Sequence, residues 1–428
     1  MMTLLLATAA LGAGVETFPS CARVKAVAFL WDTAVVSAED GACRYALDGS
    51  EVSALEAAEL PPEPARQGDC EFVPRRDGLL RRCGRLADEV FPVGGFPVTS
   101  AAFHGGVLYA GTFGGGLRRM PSGERVAGVP DAVTALAGSP RGLLVGTDRG
   151  TFLFEKGKAR ALGGAGPADG HIVKLARGGG ALWAAHFDRG LSRLQDGVWT
   201  RFTTAEGLPS DWVDDLAWDG QCLWGAGERG VFFVEDGVVK RPEDPRLLRP
   251  TTALAASSGT VLLGQAGRVV AWKNGVFTET AVPELHPQRL LADGGKVWLA
   301  GLDGLWELEG AKVTRHGVID GKLPGDWVTA LSPGPDGLLV GTYDAGLLVF
   351  GSGATLKSDA WVNPGALDRD GARLAVGENG TGLALWDGAS WSQLGAADGL
   401  PGDDVSAVLF DGPHLWVGTR TGLARITH

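Results

Sequence analysis

The sequence lacks any run of basic residues and any apolar segment long enough to cross a membrane. Acidic residues outnumber basic ones, 50 against 39, and the formal net charge at neutral pH is −11. Nucleic acid and anionic membrane surfaces bind to positive patches, so this charge balance argues against both partners. A transmembrane helix needs roughly 20 apolar residues in succession, and we therefore expect no transmembrane segment.

The linear motifs of common enzyme classes are also missing. The sequence contains no G-x-S-x-G, no phosphate-binding loop and no dinucleotide fingerprint, and its 7 histidines are scattered without metal-ligand spacing. We therefore expect no cofactor and no metal, and we assign no catalytic residue. An active site assembled from distant segments of the chain remains open.

Helical periodicity is nearly absent, whereas glycine is abundant, with 67 residues that fall mainly at regularly spaced turns. The chain repeats one pattern of four short segments: an alternating strand, a strand that often contains Trp, a third strand after a Gly-rich turn, and a polar fourth strand. Successive repeats lie 35 to 40 residues apart and open at Val98, Val133, Val173, Val213, Ala253, Leu290, Val328, Leu367 and Val405.

Four short strands in about 40 residues, with glycine turns and one aromatic motif per repeat, are typical of a β-propeller blade. The sequence therefore predicts an all-β protein built from four-stranded antiparallel blades. The tryptophans of the second strands (Trp183, Trp224, Trp298 and Trp416) are predicted to pack between blades rather than to form a platform for a sugar.

Two more divergent units precede the nine clear ones. Arg23–Gly49 contains three strands in order, and Cys70–Pro97 resembles the second to fourth strands of another unit. We therefore divide the chain into divergent blades with a closing strand at residues 15–97 and regular blades at residues 98–428. We expect one large ring of nine to eleven blades, with two smaller rings, or an irregular sheet beside a ring of about nine, as alternatives.

The last unit stops after its third strand, and the start of the chain offers a replacement for the fourth. The segment Val15–Ser20 resembles the fourth strand and loop of the repeat. A strand taken from the N-terminal region would cover an otherwise open sheet edge, which is an aggregation hazard. We therefore predict closure of the last blade by this segment.

Residues 1–14 contain an apolar run and small residues, as in a secretory signal peptide, although no Lys or Arg precedes the run. We expect a periplasmic or secreted protein, with the cytoplasm as the alternative. Four of the 5 cysteines lie in the first 83 residues, which fits disulfides formed in an oxidising compartment. Cys70 and Cys83 flank a hairpin, and Cys21 and Cys43 form the other candidate pair, although spacing leaves the connectivity open. Cys222 is predicted to be a buried free thiol.

The most distinctive residues occur in two classes of loop that share one face of a propeller. One joins a fourth strand to the next first strand, as in Gly207–Trp212, and the other joins the second and third strands, as in His186–Gly190. Repeated Asp and Pro in these loops have structural roles in turns. Residues that depart from the repeat, or that bring charge to these loops, are therefore the candidate ligand-binding set: Phe113, His186, Phe187, Asp188, Arg189, Tyr343, Asp344 and Glu378.

The repeated G-L-P-[SG]-D-[WD]-V, followed by D-G-x-x-L-W-[VG]-G-T-x-x-G-L, resembles the two-component regulator propeller repeat. The resemblance is clearest in Leu208–Phe233, Leu323–Phe350 and Leu400–Ile426, and it covers most of residues 98–428. It implies an exported β-propeller sensor module of a kind often joined to a membrane-bound histidine kinase and often responsive to carbohydrate fragments. No kinase follows in this sequence, so we expect any signal to pass to a separate partner.

Two functions are consistent with these observations. The first is a non-enzymatic, sensor-like binding propeller, expected to be a monomer, that presents its loop-rich face to a polar small molecule, a glycan or a protein. The alternative is a propeller enzyme, a lyase or hydrolase acting on a polysaccharide or cyclic substrate. It would require His186 or a similar residue to converge with carboxylates near the mouth of the ring.

Overall fold

A computed structural model describes residues 14–30, 33–39, 41–47, 52–55, 60, 65–162, 166–257, 259–273, 275–282 and 285–427. The described chain consists of 44 β-strands and two short 3-10 helices, Thr204–Glu206 and Ala396–Asp398. Residues 1–13 of the predicted signal peptide lie outside the described residues. No helix in the described ranges is long and apolar enough to span a membrane.

The described strands form eleven four-stranded sheets in which consecutive strands pair antiparallel. The prediction of an all-β protein with repeated four-stranded blades is therefore confirmed, including the two divergent units near the N terminus. The described chain divides by spatial contact into two units, residues 18–169 and residues 14–17 with 170–427. The predicted boundary after residue 97 concerns repeat regularity and stays a prediction.

The strands are numbered in chain order, beginning with β1 (Val15–Phe18). The unit of residues 18–169 contains four sheets, which neighbour one another in the order β6–β9, β10–β13, β14–β17, β2–β5. Their bounds are Val24–Leu30, Thr33–Ala38, Gly41–Ala46 and Val52–Leu55 for β2–β5; Ala65–Gln67, Cys70–Arg75, Gly78–Cys83 and Glu89–Phe91 for β6–β9; Val98–His104, Val107–Thr112, Gly116–Arg119 and Glu124–Arg125 for β10–β13; and Val133–Ser139, Gly142–Thr147, Gly150–Glu155 and Lys158–Ala161 for β14–β17.

The other unit, called here the seven-blade unit, contains the remaining seven sheets, numbered blade 1 to blade 7. Their bounds are Ile172–Gly178, Ala181–His186, Leu191–Gln195 and Val198–Phe202 (β18–β21, blade 1); Asp215–Trp218, Leu223–Gly227, Gly230–Glu235 and Val238–Lys240 (β22–β25, blade 2); Ala253–Ser257, Thr260–Gln265, Arg268–Lys273 and Val276–Ala281 (β26–β29, blade 3); Pro287–Asp293, Lys296–Gly301, Gly304–Glu309 and Lys312–His316 (β30–β33, blade 4); Val328–Gly334, Gly337–Thr342, Leu347–Val349 and Ala354–Lys357 (β34–β37, blade 5); Val362–Asp370, Arg373–Glu378, Gly382–Trp386 and Trp391–Leu394 (β38–β41, blade 6); and Val405–Asp411, His414–Thr419 and Leu423–Thr427 (β42–β44, blade 7, completed by β1).

The first strands of these seven blades contact one another in cyclic order, because β42 lies against both β38 and β18. The Ser406 hydroxyl on β42 donates to the Ile172 carbonyl on β18 at 2.5 Å, and Arg177 pairs with Asp411 at 3.3 Å. The described residues form eleven four-stranded sheets, the upper end of the expected nine to eleven, and the first strands of seven of them follow one another in a cycle. The other four sheets belong to the unit of residues 18–169.

The predicted closing strand is confirmed, because β1 pairs with β44 at the edge of blade 7. The amide of Thr427 donates to the Gly14 carbonyl at 2.9 Å, and Glu16 forms an ion pair with Arg425. Val15 packs against the buried residues between blades 6 and 7. The N-terminal segment thus contributes both backbone hydrogen bonds and apolar burial.

Apolar clusters fill the spaces between successive blades from blade 1 to blade 7, and the second-strand residues Trp183, Trp224 and Trp298 lie in them. Trp183 joins Phe202 and Leu216 between blades 1 and 2. The four tryptophans predicted to be buried are between 3% and 8% exposed, so that prediction is confirmed. Burial of one such side chain contributes up to about 4–6 kcal/mol to folding.

Both candidate disulfides are present, Cys21–Cys43 and Cys70–Cys83. Cys70 and Cys83 are directly opposite each other on β7 and β8, as the hairpin pattern predicts. Cys222 is a buried free thiol, as predicted, and burial raises its pKa to about 11. Two disulfides fit a periplasmic or secreted protein.

Candidate functional site

Many repeated residues of the loop-rich face stabilise the loops themselves. In the loop before blade 2 the Asp211 carboxylate accepts from the Thr204 amide at 2.7 Å. Asp326 and Asp403 accept from Val318 and Ala396 at the equivalent positions, at 2.9 and 2.6 Å. The repeated Asp of the G-L-P-x-D motif therefore has the structural role expected of it, and we do not count it as part of a binding site.

In blades 5 and 6 the backbone requires glycine at the end of the turn between the second and third strands. Gly346 has φ +88°, and a Cβ there would lie 2.2 Å from the Lys357 carbonyl oxygen. Gly382 has φ +99°, and a Cβ would lie 2.1 Å from the Leu394 carbonyl oxygen. Only glycine accommodates both the left-handed backbone and this close approach, so these turns hold their neighbouring side chains in fixed positions.

In blades 1, 5, 6 and 7 two positions meet at the loop-rich face. The residue after the second strand donates its backbone N–H to the carbonyl of the residue before the first strand, as from Phe187 to His171 at 3.2 Å and from Tyr343 to Trp327 at 3.0 Å. The same bond runs from Asn379 to Trp361 and from Arg420 to Asp404. The two side chains therefore start side by side.

Aromatic residues occupy these positions in blades 1 and 2 and form the Phe187 cluster (His171, Phe187 and Trp212). The Phe187 ring is stacked on His171, with centroids 5.0 Å apart and an interplanar angle of 10°. The Trp212 ring also contacts Phe187, with ring centroids 4.9 Å apart and an interplanar angle of 40°. Phe187 is 44% exposed and Trp212 is 48% exposed. These rings therefore present apolar surface to solvent in a fixed arrangement.

A second set, the Tyr343 cluster (Trp327, Tyr343 and Trp361), occupies the equivalent positions in blades 5 and 6. Tyr343 is stacked on Trp327 with centroids 4.0 Å apart, and Trp361 lies 6.0 Å away. The Asn379 amide donates to the Tyr343 hydroxyl at 3.1 Å. Trp361 is 52% exposed, and Asp344 beside Tyr343 is exposed. The cluster therefore combines ring faces with hydrogen-bonding groups.

The other residues of the candidate ligand-binding set lie outside these two aromatic clusters. Asp188 and Arg189, half-buried next to Phe187, lie 3.8 Å apart as an ion pair. His186 is fully buried, and its Nε2 lies 2.8 Å from the Ser192 hydroxyl. Glu378 is 2% exposed and pairs with Lys357 at 3.3 Å. Phe113 is exposed, but it belongs to the unit of residues 18–169.

The structure thus brings Phe187, Asp188 and Arg189 together on one side and Tyr343 and Asp344 on another. Sequence reasoning missed His171, Trp212, Trp327 and Trp361, which complete the two clusters. Trp212 and Trp327 directly follow the repeated Asp, so the motif alone does not distinguish them from the repeat. The signal that marks them is the loss of this Trp in other blades, where Pro250, His286 and Asp404 occupy the position.

The inner strands of the seven-blade unit bear buried charges. Lys174 pairs with the buried Asp215 at 3.2 Å. Burial, together with the charges of Asp215 and Glu228, raises the pKa of Asp214, and Arg289 opposes this rise. Burial also raises the pKa of Asp368, against backbone hydrogen bonds from Phe410 and Arg369. These acids therefore ionise less readily than exposed aspartates.

A bulge in β38 reaches toward the middle of the seven-blade unit. The register of β38 on β39 shifts between Val362 and Leu367, which leaves the segment 363–366 outside the ladder. The guanidinium of Arg289 on β30 donates to the Pro364 carbonyl at 2.7 Å. Blades 4 and 6 are separated by blade 5 in the cycle, so the bulge spans the space inside the inner strands.

The described residues contain no group of three or more His, Cys, Asp or Glu side chains placed to hold a metal ion. The loop-rich face also presents ring faces, ion pairs and amide hydrogen bonds, carried on a β-propeller scaffold.

No protein-family model and no curated protein sequence matches the chain. Among solved structures it is similar to PorZ of Porphyromonas gingivalis, described as an essential bacterial surface component of the type-IX secretion system. The identity is 14%, the match covers 95% of this chain and 74% of PorZ, and the TM-score is 0.56. This similarity supports the fold.

The structural neighbours also include the extracellular domain of BT4673 from B. thetaiotaomicron, assigned both as a one-component and as a hybrid two-component system. The first of these structures has 15% identity, covers 94% of this chain and 70% of that chain, and has a TM-score of 0.48. The WD40 β-propeller domain of Doa1 matches with 15% identity over 61% of this chain and 93% of that domain, with a TM-score of 0.47.

Proposed function

We propose that this protein is an exported, non-enzymatic binding protein that uses the loop-rich face of its seven-blade unit to bind a glycan. The observation that carries the proposal is the pair of exposed, mutually stacked aromatic clusters around Phe187 and Tyr343. Export is supported by the two disulfides. The description of PorZ as a surface component is consistent with it.

The exposed rings are not needed to fill the core. The second-strand tryptophans already bury their rings between blades, whereas Trp212 and Trp361 leave about half of their surface in water, at 48% and 52% exposed. Exposed apolar surface that is rimmed by polar groups is typical of interaction sites. The rings are also held by stacking and by turns with fixed geometry, so binding to them requires little ordering.

Sugar rings fit this surface better than flat apolar ligands do. An aromatic face has a negative quadrupole that attracts the weakly positive C–H groups of a pyranose face. The Asn379 amide, the Asp344 carboxylate and the Asp404–Arg420 ion pair at 2.8 Å lie on the same face as hydrogen-bonding partners for hydroxyls. The two clusters belong to blades 1–2 and 5–6, an arrangement suited to a chain longer than one sugar.

The enzyme alternative required His186 or a similar residue to meet carboxylates near the mouth. The His186 ring is fully buried against Ser192, so it is not placed to contact a bound substrate. We therefore propose binding without turnover. Signalling through a separate protein, implied by the repeat resemblance, is part of the same proposal.

A thermal-shift screen with glycan fragments tests this function. A fragment at 100 times its Kd should stabilise the protein by about 2.7 kcal/mol. Trp361→Ala and Phe187→Ala should each weaken binding of a hit by roughly tenfold, because each removes one stacking surface. The matched control is Val276→Ala, which removes an exposed apolar side chain from the hairpin between β28 and β29, 67% exposed.

Chromatography of the fragment after prolonged incubation with the protein separates binding from catalysis. An unchanged fragment supports the proposal, whereas cleaved product would establish the enzyme alternative. A hit whose affinity is the same in both aromatic variants as in the control would place binding elsewhere. If no glycan gives a thermal shift, and if the protein instead captures one envelope protein in a way that Trp361→Ala abolishes, the ligand is a protein rather than a glycan.

A further inference from the structure

A cavity of about 330 Å³ lies in the unit of residues 18–169, between the sheet of β6–β9 and the sheet of β10–β13. Ligand-binding cavities in proteins begin at about this size. Its wall is mostly apolar and includes Phe72, Phe91, Phe103, Leu108 and Met120. It involves none of the loop-face residues, so it is independent of the function proposed above.

The aromatic wall of the cavity is held in place from outside. Phe72 and Phe103 meet edge to face with ring centroids 5.5 Å apart, and Phe72 is 7% exposed. The guanidinium of Arg81 lies 5.4 Å from the centroid of the Phe91 ring. Arg81 is itself neutralised by Glu89, at 2.6 Å. A ligand entering the cavity would therefore meet fixed ring surfaces, and the charge of Arg81 would not attract it.

Among the described residues, the cation in the cavity lining, Arg119, has no neutralising group. The Arg119 side chain is exposed and forms no ion pair or side-chain hydrogen bond with any residue that the structure describes. Glu124 is its cross-strand neighbour on β13, yet the two charged groups do not come within ion-pair distance of each other. Arg119 is thus available to a carboxylate, which its guanidinium can bind through two parallel hydrogen bonds.

The cavity volume corresponds to about ten water molecules, while few polar groups among the lining residues can bind them. An apolar molecule that displaced this water would gain the hydrophobic contribution of the Phe and Leu surfaces. An anionic group on such a molecule would face Arg119.

We propose that this cavity binds a small carboxylate with an apolar body, of the class of phenylalkanoic acids, with the apolar body against the phenylalanines and the carboxylate on Arg119. Recognition needs both parts. The apolar body supplies most of the affinity, and Arg119 selects the charged form over a neutral molecule of the same shape.

Isothermal titration calorimetry of the full chain with 3-phenylpropionate tests the proposal. 3-Phenylpropionamide has the same body without the charge, and acetate has the charge without the body. The expected order of affinity is 3-phenylpropionate first, the amide second, and acetate without detectable binding. Absence of 3-phenylpropionate binding at ~10 mM, the weak limit of a specific small-molecule site, would overturn the proposal.

Two substitutions at the rim keep the test independent of folding. Arg119→Gln should weaken 3-phenylpropionate binding about tenfold and leave amide binding unchanged, because only the charged hydrogen bonds are lost. Glu124→Gln should strengthen 3-phenylpropionate binding roughly two- to threefold by removing a nearby like charge. Arg149→Gln, an equal charge change in the turn between β15 and β16, is the matched control.

If the Arg119 and Arg149 variants lose the same amount of binding, the loss comes from the change in net charge. That result would overturn the assignment of Arg119 as the carboxylate partner. Equal affinity for the acid and its amide would do the same. Failure here leaves the glycan proposal untouched, because the two sites share no residue and are tested with different ligands.

Discussion

Asp214 is a partly buried side chain whose ionisation bears on the stability of the seven-blade unit. Its pKa is raised from 3.8, first by burial and then by Asp215 and Glu228, while Arg289 opposes the rise. The ionised carboxylate therefore destabilises the fold at every pH above its folded pKa. This penalty disappears as the pH falls below the ordinary value, because both states are then protonated.

Asp214→Asn should accordingly be more stable than the parent at neutral pH, by on the order of 0.5 kcal/mol. The gain should shrink as the pH is lowered toward the ordinary value of 3.8, because the parent carboxyl then becomes protonated in the folded state. Urea unfolding midpoints at the two pH values measure the difference. Asp293→Asn, at an exposed aspartate of β30, is the control. A gain that persists undiminished at low pH would contradict the electrostatic explanation.

Single residues also show how far the sequence predicts the candidate site. Phe187 and Tyr343 were identified as departures from the repeat, and the structure gives both of them stacked aromatic partners. His186 and Glu378 were identified by the same criterion but are buried. A sequence shows that a residue is unusual, whereas its exposure depends on which neighbours close over it. Whether these residues bind a ligand stays a prediction.

Among the individual strands, β38 contains a bulge that the sequence repeat does not reveal. Its four residues outside the ladder add length to the first strand of blade 6, while the preceding loop is short, so the repeat keeps its ordinary period. Alignment on Leu367 therefore gave no sign of it. The Asn-Pro-Gly sequence of Asn363–Gly365 is the local turn signal that could have revealed it.

The bulge depends on Gly365, which has φ +73° and whose Cβ would lie 2.1 Å from Nε of the buried Arg289. Gly365→Ala should lower stability by about 1 kcal/mol for the left-handed backbone and by a further 1–3 kcal/mol for displacing the guanidinium. Gly371→Ala is the matched control, because Gly371 has φ +61° and open space around its Cβ position. The unfolding midpoints of the two variants measure the packing contribution. Equal losses would show that Arg289 does not pack tightly against the bulge.

At the scale of the whole molecule, the N-terminal strand decides whether blade 7 has an open edge. Deleting residues 1–18 removes β1, the burial of Val15 and the partner of Arg425. We expect a stability loss of about 2 kcal/mol or more and aggregation through the exposed edge of β44. Thermal unfolding and light scattering measure both effects.

Deletion of residues 1–13 is the control, since it leaves β1 intact. If the longer deletion gives a protein as soluble and as heat-stable as the shorter one, β1 does not stabilise blade 7 and the prediction is wrong. The Glu16–Arg425 pair can be examined separately, but as an exposed ion pair it is expected to contribute less than about 1 kcal/mol.

The sequence by itself determined the repeating unit, its four strands, the capping role of Asp211 and its equivalents, and the burial of Trp183 and its equivalents. These follow from alternation, turn chemistry and spacing, which act within a few residues of one another. The tertiary structure alone decided that seven blades follow one another in a cycle, that Trp212 and Trp361 stay exposed, and that Arg289 meets the β38 bulge. Those outcomes depend on how side chains from separate blades pack together, and packing between distant segments leaves no period in the sequence.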